Sequence, residues 1–545
     1  MKCIAVINVD LERSPLGTRS RLGDELAGKT VLRRTLERVA LVKGVASIHL
    51  LCHVSQSERL RELTWGLAVK IEPHDAEPPP YEMLVRASRW WGLDSWRGGA
   101  GSLSVFDEDA RLDVMSVLVD REQADAALSL PAAAVVIDQV ILDAMIDQQR
   151  RNSDTAKMTF TPAPPGLAAL LLTRELLSEL APSGQPPGVL MTYHPDRPIA
   201  DLTGKEACYR PSDDVIAASG RLLADTTRSM NRLRDLFAAG GETWDASRIA
   251  RWLLERGESF VEPVPSEIEI ELTTDDPLSG TLLRPRGTDV GSRGPLRQSV
   301  VQSVIDAMSD YDDIRVVLAG HGEPTLHPAF HDICTMLRRS PAVAAIAVRT
   351  CAVLPADTKQ SDAIEEALFG TPVDLVEVTL DASTAETYSR VQGVDAYKSV
   401  IARLNRWAER RVQRQQVRPL IMPSFVKANE NMSDMEAFYD DWQGRLGMST
   451  ITGYSHHASQ RPHRAVTSVA PPTRAPCRRT FSRAMILADG RMTTCDQDFA
   501  GKQCLGVVGQ QSFLELWQAA TLSAIRAGGH DQQLICPGCD EWHRP

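Results

Sequence analysis

Apolar and polar positions alternate along this chain in strand-like and helix-like periods. CIAVINVD (3–10) is a short apolar run ending in Asp, the pattern of a buried strand. A polar, Gly-containing loop follows, then a helical stretch, TVLRRTLERVALVKG, closed by Gly44. ASIHLLCHV (46–54) predicts the next strand, and AALSLPAAAVVIDQVILDAMIDQQRR predicts a strand, a turn and a helix. EPPP (77–80) and GGAG (98–101) mark loops. This rhythm predicts a mainly parallel sheet over residues 1–200. Residues 201–262 are polar and helical in pattern, the signature of a connector. Strand–helix alternation resumes over 265–457, with six predicted strands: SEIEIELT (266–273), IRVVLAG (314–320), AAIAVRT (344–350), LVEVTLDA (375–382), PLIMPSFVKA (419–428) and MSTITGY (448–454). Six parallel strands with crossovers make an open sheet or an incomplete barrel, with ligands at the strands' carboxyl ends. SHHASQRPHRAVTSVAPPTRAP then predicts a flexible linker. Its His456, His457 and His463, with His530 and His543 further on, are expected at the surface.

Composition narrows the classes. At roughly 100–200 residues per domain, 545 residues suggest several units. Charged residues at 24% fit a folded globular chain. The net charge of -11 provides no electrostatic footprint for nucleic acid or an anionic membrane. No apolar run reaches the roughly 18 residues of a membrane span. The start, MKCIAVINVD, lacks a secretory pattern because its apolar run turns acidic at Asp10. A cytoplasmic location is expected, where thiols stay reduced and clustered cysteines point to metal before disulfide.

The ten cysteines fall into two sets. Cys3, Cys52, Cys208, Cys334 and Cys351 are scattered, as small buried hydrophobes are. Cys477, Cys495, Cys504, Cys536 and Cys539 crowd the tail. Cys536-Pro-Gly-Cys539 brings two thiolates to one metal with little backbone strain, and four thiolates suffice for zinc or for an iron–sulfur cluster. Cys504 is a fifth candidate or a spare. MILADGRMTTCDQDF predicts a hairpin turning at Asp489-Gly490, with Cys495 on the return strand.

Pro476-Cys477, the DGRMTTCDQD hairpin, the LGVVG step, the helix around Leu516-Trp517 and the closing CPGC together resemble the SPASM domain that follows many radical S-adenosylmethionine (SAM) barrels. The resemblance implies one auxiliary [4Fe–4S] cluster on Cys477, Cys495, Cys536 and Cys539, in preference to zinc. The preceding segments AGHGEPTLHPAF (319–330), VEVTLDASTAETYSRVQG and PSFVKANENMSDMEAFYDDW resemble, in order, three segments of the radical SAM partial (β/α)6 barrel. The first is similar to the family's Gly-Gly-Glu-Pro loop, which receives the amino group of SAM. This implies SAM contacts at Gly320, Gly322 and Glu323, with His321 in place of the middle glycine. The family's first-strand loop carries Cys-x-x-x-Cys-x-x-Cys, and here those positions fall on Asp276, Gly280 and Leu283. Glycine and leucine offer no donor atom, and one carboxylate does not hold a cluster. Cys334, within a helix, and Cys351, ending the third strand, are not expected to replace them. A barrel that keeps its fold without cleaving SAM is expected.

VINVDLERSPLGTRSRLGDELAGKTVLRRTLERV resembles the opening of cytidylyltransferase-type nucleotidyltransferases, and FTPAPPGLAALLLTRELL resembles their Pro-Gly segment. A triphosphate needs backbone N–H groups and fixed positive charge. The resemblance implies Gly17, Arg19, Arg21 and Lys29 as its phosphate contacts. Such enzymes hold Mg²⁺ with an Asp at the end of a central strand, where Ala132-Ala133-Ala134 stand here. Asp138 has the pattern of a helix start, and the run Asp107, Glu108 and Asp109 that of a solvated turn. Nucleotide binding is expected, but not nucleotidyl transfer.

The expected fold is α/β and multidomain. A nucleotidyltransferase-like α/β sandwich spans 1–200, a helical connector 201–262, a radical SAM-like partial barrel 263–465 and a small Cys-rich iron–sulfur domain 466–545. Three functions fit these expectations. One is a cluster-bearing binding or scaffold protein, acting with a partner enzyme that modifies a peptide, protein or sugar. The others are an enzyme acting on a nucleotide through the N-terminal domain, and a zinc-stapled interaction protein.

Overall fold

Continuous apolar runs become the central strands. The computed structural model describes residues 1–196, 201–278, 280–286, 289–355, 357–370, 373–468 and 470–544. It divides into two units, Met1–Gly257 and Glu258–Pro545.

In the first unit, strand β1 (Cys3–Asn8) is buried at all but its last residue. It pairs in parallel with β2 (Val45–His53) on one side and with β4 (Ala126–Pro131) on the other. β3 (Lys70–His74) extends the parallel ladder beyond β2. β5 (Met158–Phe160) and β6 (Leu170–Thr173) complete it antiparallel, in the order β3-β2-β1-β4-β6-β5. Helix α1 (Val31–Val39) is capped by the Thr30 hydroxyl, which accepts from Arg33 N. It buries Val31, Leu32, Leu36 and Val39, an i, i+4-type stripe. Helix α2 (Gln139–Arg151) starts at Asp138, as its sequence pattern predicts.

The segment expected as a connector is no connector. Through residue 257 it carries helices α3 (Thr227–Ala238) and α4 (Ala246–Ser259). Leu222, Met230, Leu233, Leu236, Ile249 and Leu253 join the same apolar core as β1 and β4. Its surface is polar, but the buried stripe decides where it belongs.

In the second unit the six predicted strands appear as β7 (Glu267–Glu271), β8 (Ile314–Ala319), β9 (Val343–Thr350), β10 (Leu375–Thr379), β11 (Leu420–Lys427) and β12 (Thr450–Gly453). They pair in sequence order, all parallel. The tail adds β13 (Arg483–Ile486), β14 (Arg491–Thr493) and β15 (Cys504–Val507) on the far side of β7, so the ladder ends at β12 and β15 without closing. β13 runs parallel to β7, with Ala484 opposite Ile268 and Ile486 opposite Ile270. The domain boundary expected at 465/466 therefore falls inside one sheet.

The alternation Glu-Ile-Glu-Ile-Glu of β7 has a tertiary consequence. Ile268 and Ile270 enter the apolar core. The glutamates share the opposite face. Arg315 on β8 stands in register with Glu267, and Arg349 on β9 with Glu377 on β10. Arg349 pairs with Glu377 at 3.0 Å and approaches Glu269 at 3.7 Å. One face of the sheet is thus an apolar core and the other carries paired charge. Among the described residues, no helix is long and apolar enough to cross a membrane.

Candidate functional sites

All ten cysteines are free thiols. Cys3, Cys52, Cys208, Cys334 and Cys351 are buried, as expected of small hydrophobes. Cys334 packs inside the core of the second unit. In the tail, Cys477, Cys495, Cys536 and Cys539 line one cavity, walled by Ile525, Ile535 and Trp542. The hairpin turn forms at Asp489-Gly490, where Gly490 adopts φ +86°. Cys495 lies two residues past the return strand, not on it as expected, and Asp498 N donates to its carbonyl at 3.2 Å. The Thr480 hydroxyl donates to Cys477 O at 2.7 Å, Arg474 to Cys536 O at 2.7 Å, and Glu541 N to Cys539 Sγ at 3.3 Å. These bonds orient the loops that carry the thiols.

Burial pushes the Cys536 thiol up to about 11 and Cys539 to about 12. Burial raises Cys495 further, helped by Asp496, Cys477 and Cys539. Four thiols raised chiefly by burial and gathered on one cavity are a donor set of the kind that binds a metal or cluster as thiolates. They fit an iron–sulfur group. Cys504 stands apart: it is exposed, and its thiol donates to Gly506 O at 3.3 Å.

The surface position expected of the histidines does not hold for His456, His457 and His530. His456 is buried. Its Nδ1 accepts from Ser459 N at 2.8 Å, so Nε2 carries the proton and donates to Asp540 at 3.2 Å. Although His456, His463 and Asp540 converge, that proton removes His456 as a metal ligand. His457 is half-buried with its ring edge-on to Phe499, and His530 lines the thiol cavity.

At the carboxyl ends of the second unit's parallel strands, the three positions that match the family's first-strand cysteines have other work. Asp276 binds Arg286 at 2.6 Å, both side chains being buried. Gly280 lies against Gly393, where a Cβ on Gly393 would come within 2.9 Å of its Cα. Leu283 is buried with Val391, Ala428 and Tyr454. Two further pairs lie nearby, Arg284–Asp381 at 2.6 Å and Arg293–Glu271 at 2.7 Å.

The glycine loop after β8 is equally self-contained. Gly320 has φ +87°, and a Cβ there would meet Glu271 at 2.5 Å. At Gly322 it would meet Thr273 O at 2.1 Å. Close backbone packing thus accounts for both glycines. Gly322 O accepts from Arg286 at 2.6 Å. Glu323 accepts from the Thr325 hydroxyl at 2.7 Å with one oxygen and from Cys351 N at 2.8 Å with the other. The groups that the resemblance assigns to the SAM amino group are already bonded. His321 is 5% exposed, its Nε2 has no partner, and burial, aided by Arg293 and Arg286, pushes it down to about 3.

In the first unit, a cavity of about 470 Å³ opens at the carboxyl ends of β1 to β4. The expected phosphate contacts do not converge on it. Only Arg21 lines it, with its guanidinium on Asp225 O (2.7 Å) and Thr227 Oγ1 (3.0 Å). Arg19 binds Asp24 at 2.7 Å and Lys29 binds Glu37 at 2.7 Å, all of them at least partly exposed. Gly17 turns a tight loop at φ +88°, its N–H donating to Ser14 O. Ala132 and Ala133 line the cavity at the end of β4. Asp138 caps α2 and also accepts from Ala246 N.

The acidic run 107–109 is not a solvated turn. Asp107 accepts from Ser104 N and Gly188 N, and Glu108 lies between Arg89 and Arg221. All three carboxylates line the cavity, as does Asp225. Arg221 and Asp225 escape a reading that assigns residues 201–262 to a connector. The available signal is their i, i+4 spacing just before the capped start of α3.

Comparison with known proteins returns the following. Residues 477–540 match the SPASM model, described as an iron–sulfur cluster-binding domain. An uncharacterised protein of Treponema pallidum (strain Nichols) is 27% identical over 301 residues, 53% of this chain and 82% of that protein. A cytidylyltransferase from Leptospira borgpetersenii serovar Hardjo-bovis is similar over 47% of this chain and 93% of its own, at 16% identity and TM-score 0.34. Streptococcus suis SuiB bound to precursor peptide SuiA covers 55% of this chain and 80% of its own, at 11% identity and TM-score 0.40.

Proposed function

We propose that this chain is a radical SAM/SPASM-like iron–sulfur protein. It holds one auxiliary [4Fe–4S] cluster on Cys477, Cys495, Cys536 and Cys539 and does not itself cleave SAM. Its role is to bind, beside a partner enzyme, a peptide, protein or sugar undergoing modification. The observation that carries this reading is the contrast between four thiols on one cavity and strand-end loops whose matching positions are Asp276, Gly280 and Leu283. The spread of the thiols favours a cluster over zinc. Among the described residues, no three of their Sγ atoms lie within 4.8 Å of one another. A tetrahedral zinc site with bonds of about 2.3 Å holds its sulfurs roughly 3.8 Å apart. A cluster bound there supplies a redox-active iron–sulfur centre. The chain's own part is to supply four thiolates, apolar packing from Ile525, Ile535 and Trp542, and the N–H bond to Cys539.

Anaerobic reconstitution with iron counting tests this. About four irons per chain, with no 5′-deoxyadenosine formed from SAM under reduction, is expected. About eight irons, or 5′-deoxyadenosine formation, rejects it. A second reading, nucleotide binding in the first unit, is favoured by the position of its cavity at the strands' carboxyl ends. Calorimetry with CTP tests it, and no heat at millimolar nucleotide rejects it.

A further inference from the structure

The resemblance of the first unit to metal-dependent nucleotidyltransferases implies a divalent cation among carboxylates at the cavity floor. The residues present do not fit one. The expected strand-end carboxylate is absent, with Ala132 and Ala133 in its place. The two best-placed acids, Glu108 and Asp225, are already bridged by a side chain. Arg221 Nε lies 2.9 and 3.1 Å from the two oxygens of Asp225, and an Nη lies 2.5 Å from one of them. The same guanidinium reaches Glu108 at 2.6 and 3.3 Å. Arg89 Nε closes the chain on Glu108 at 2.8 Å. None of the four side chains is more than 3% exposed.

Glu108 and Asp225 are thus matched by two guanidiniums, and the neighbouring Asp109, which also lines the cavity, is pushed up by burial and by those two carboxylates and so adds little charge. A divalent ion entering between Glu108 and Asp225 would have to expel a buried arginine from both. We propose that Arg221 is a built-in cation. It occupies the place between Glu108 and Asp225 that a divalent metal would need, and the cavity above it takes its ligand without metal. The proposal stands apart from the reading of the tail cluster, and the failure of either leaves the other intact.

The test is a Mn²⁺ titration of the full-length chain, read as loss of the free-ion EPR signal. The wild type is expected to withdraw no Mn²⁺ beyond that withdrawn by Asp225→Asn. Arg221→Met, folded by circular dichroism, is expected to withdraw about one further equivalent. That equivalent should disappear when Asp225→Asn is added, and Arg221→Lys should behave as wild type. A wild-type equivalent lost in Asp225→Asn overturns the proposal, as does a folded Arg221→Met that binds none. Should Arg221→Met not fold, CTP titrations of the wild type with and without Mg²⁺ decide. Affinities equal within about twofold support the built-in cation, and a gain of about tenfold or more with Mg²⁺, or no binding in either, overturns the proposal.

Discussion

The tail cavity and the loops at the carboxyl ends of the parallel strands, both in the second unit, meet burial in opposite ways. Around the tail cavity, burial raises all four thiols, and Cys477 adds to the cost of ionising the other three. At the strand ends, Asp276, Glu271 and Asp381 each face an arginine within 2.7 Å. The first arrangement gathers thiols that bind metal as thiolates, and the second pairs each of these three carboxylates with an arginine of the chain. A site keeps its need for an inorganic centre only while its donors lack compensation from the protein.

The largest expected effect separates the two directly. Cys495→Ala or Cys536→Ala removes one of four thiolates, and iron should fall from about four per chain to near zero, with the visible cluster absorbance lost. Retention of iron in either variant would break the contrast. Next, Arg286→Met strands Asp276 as a buried unpaired carboxylate. The expected loss of unfolding free energy is on the order of 3–5 kcal/mol by denaturant titration, much of it regained in Arg286→Met/Asp276→Asn. An unchanged midpoint would show that the pair does not stabilise the fold.

The acid side of the stability profile is a third test. His321 stays neutral in the folded state down to about 3, through burial, whereas an unfolded histidine protonates near its ordinary value of 6.5. Between those values the unfolded chain binds the extra proton, so stability should fall as pH drops from about 6.5 to about 3, by up to a few kcal/mol. His321→Gln should flatten that limb. An identical slope in wild type and variant would remove His321 as its source. Smallest of all, Cys504→Ser should leave the iron content unchanged and shift stability by less than about 0.5 kcal/mol, because the thiol is exposed and outside the cavity. A drop in iron would make Cys504 a ligand after all.

Much of this arrangement is legible in the residues themselves. The strand SEIEIELT shows its two faces by alternation. LVEVTLDA runs short of its predicted end: Asp381 turns to φ +60° and its carboxylate takes Val426 N, stopping β10 at Thr379. The four tail thiols are found by motif because Cys-Pro-Gly-Cys is local. The histidines of the segment after β12 are misread because polar, Pro-containing sequence resembles a linker, whereas His456 is tied down by Ser459 N and Asp540.

What the sequence alone determines is local: the period-two strands, the helical stripes, the thiols of the tail, and the absence of thiols at 276, 280 and 283. These depend on side-chain type and spacing over a few residues. Only the tertiary structure decides which charges find each other. Arg284 reaches Asp381 across 97 residues and Arg221 reaches Glu108 across 113. Strand order and loop paths bring such pairs together, and no spacing rule records them. The same holds for residues 201–257, whose polar surface conceals a buried stripe until the sheet of the first unit is there to cover it.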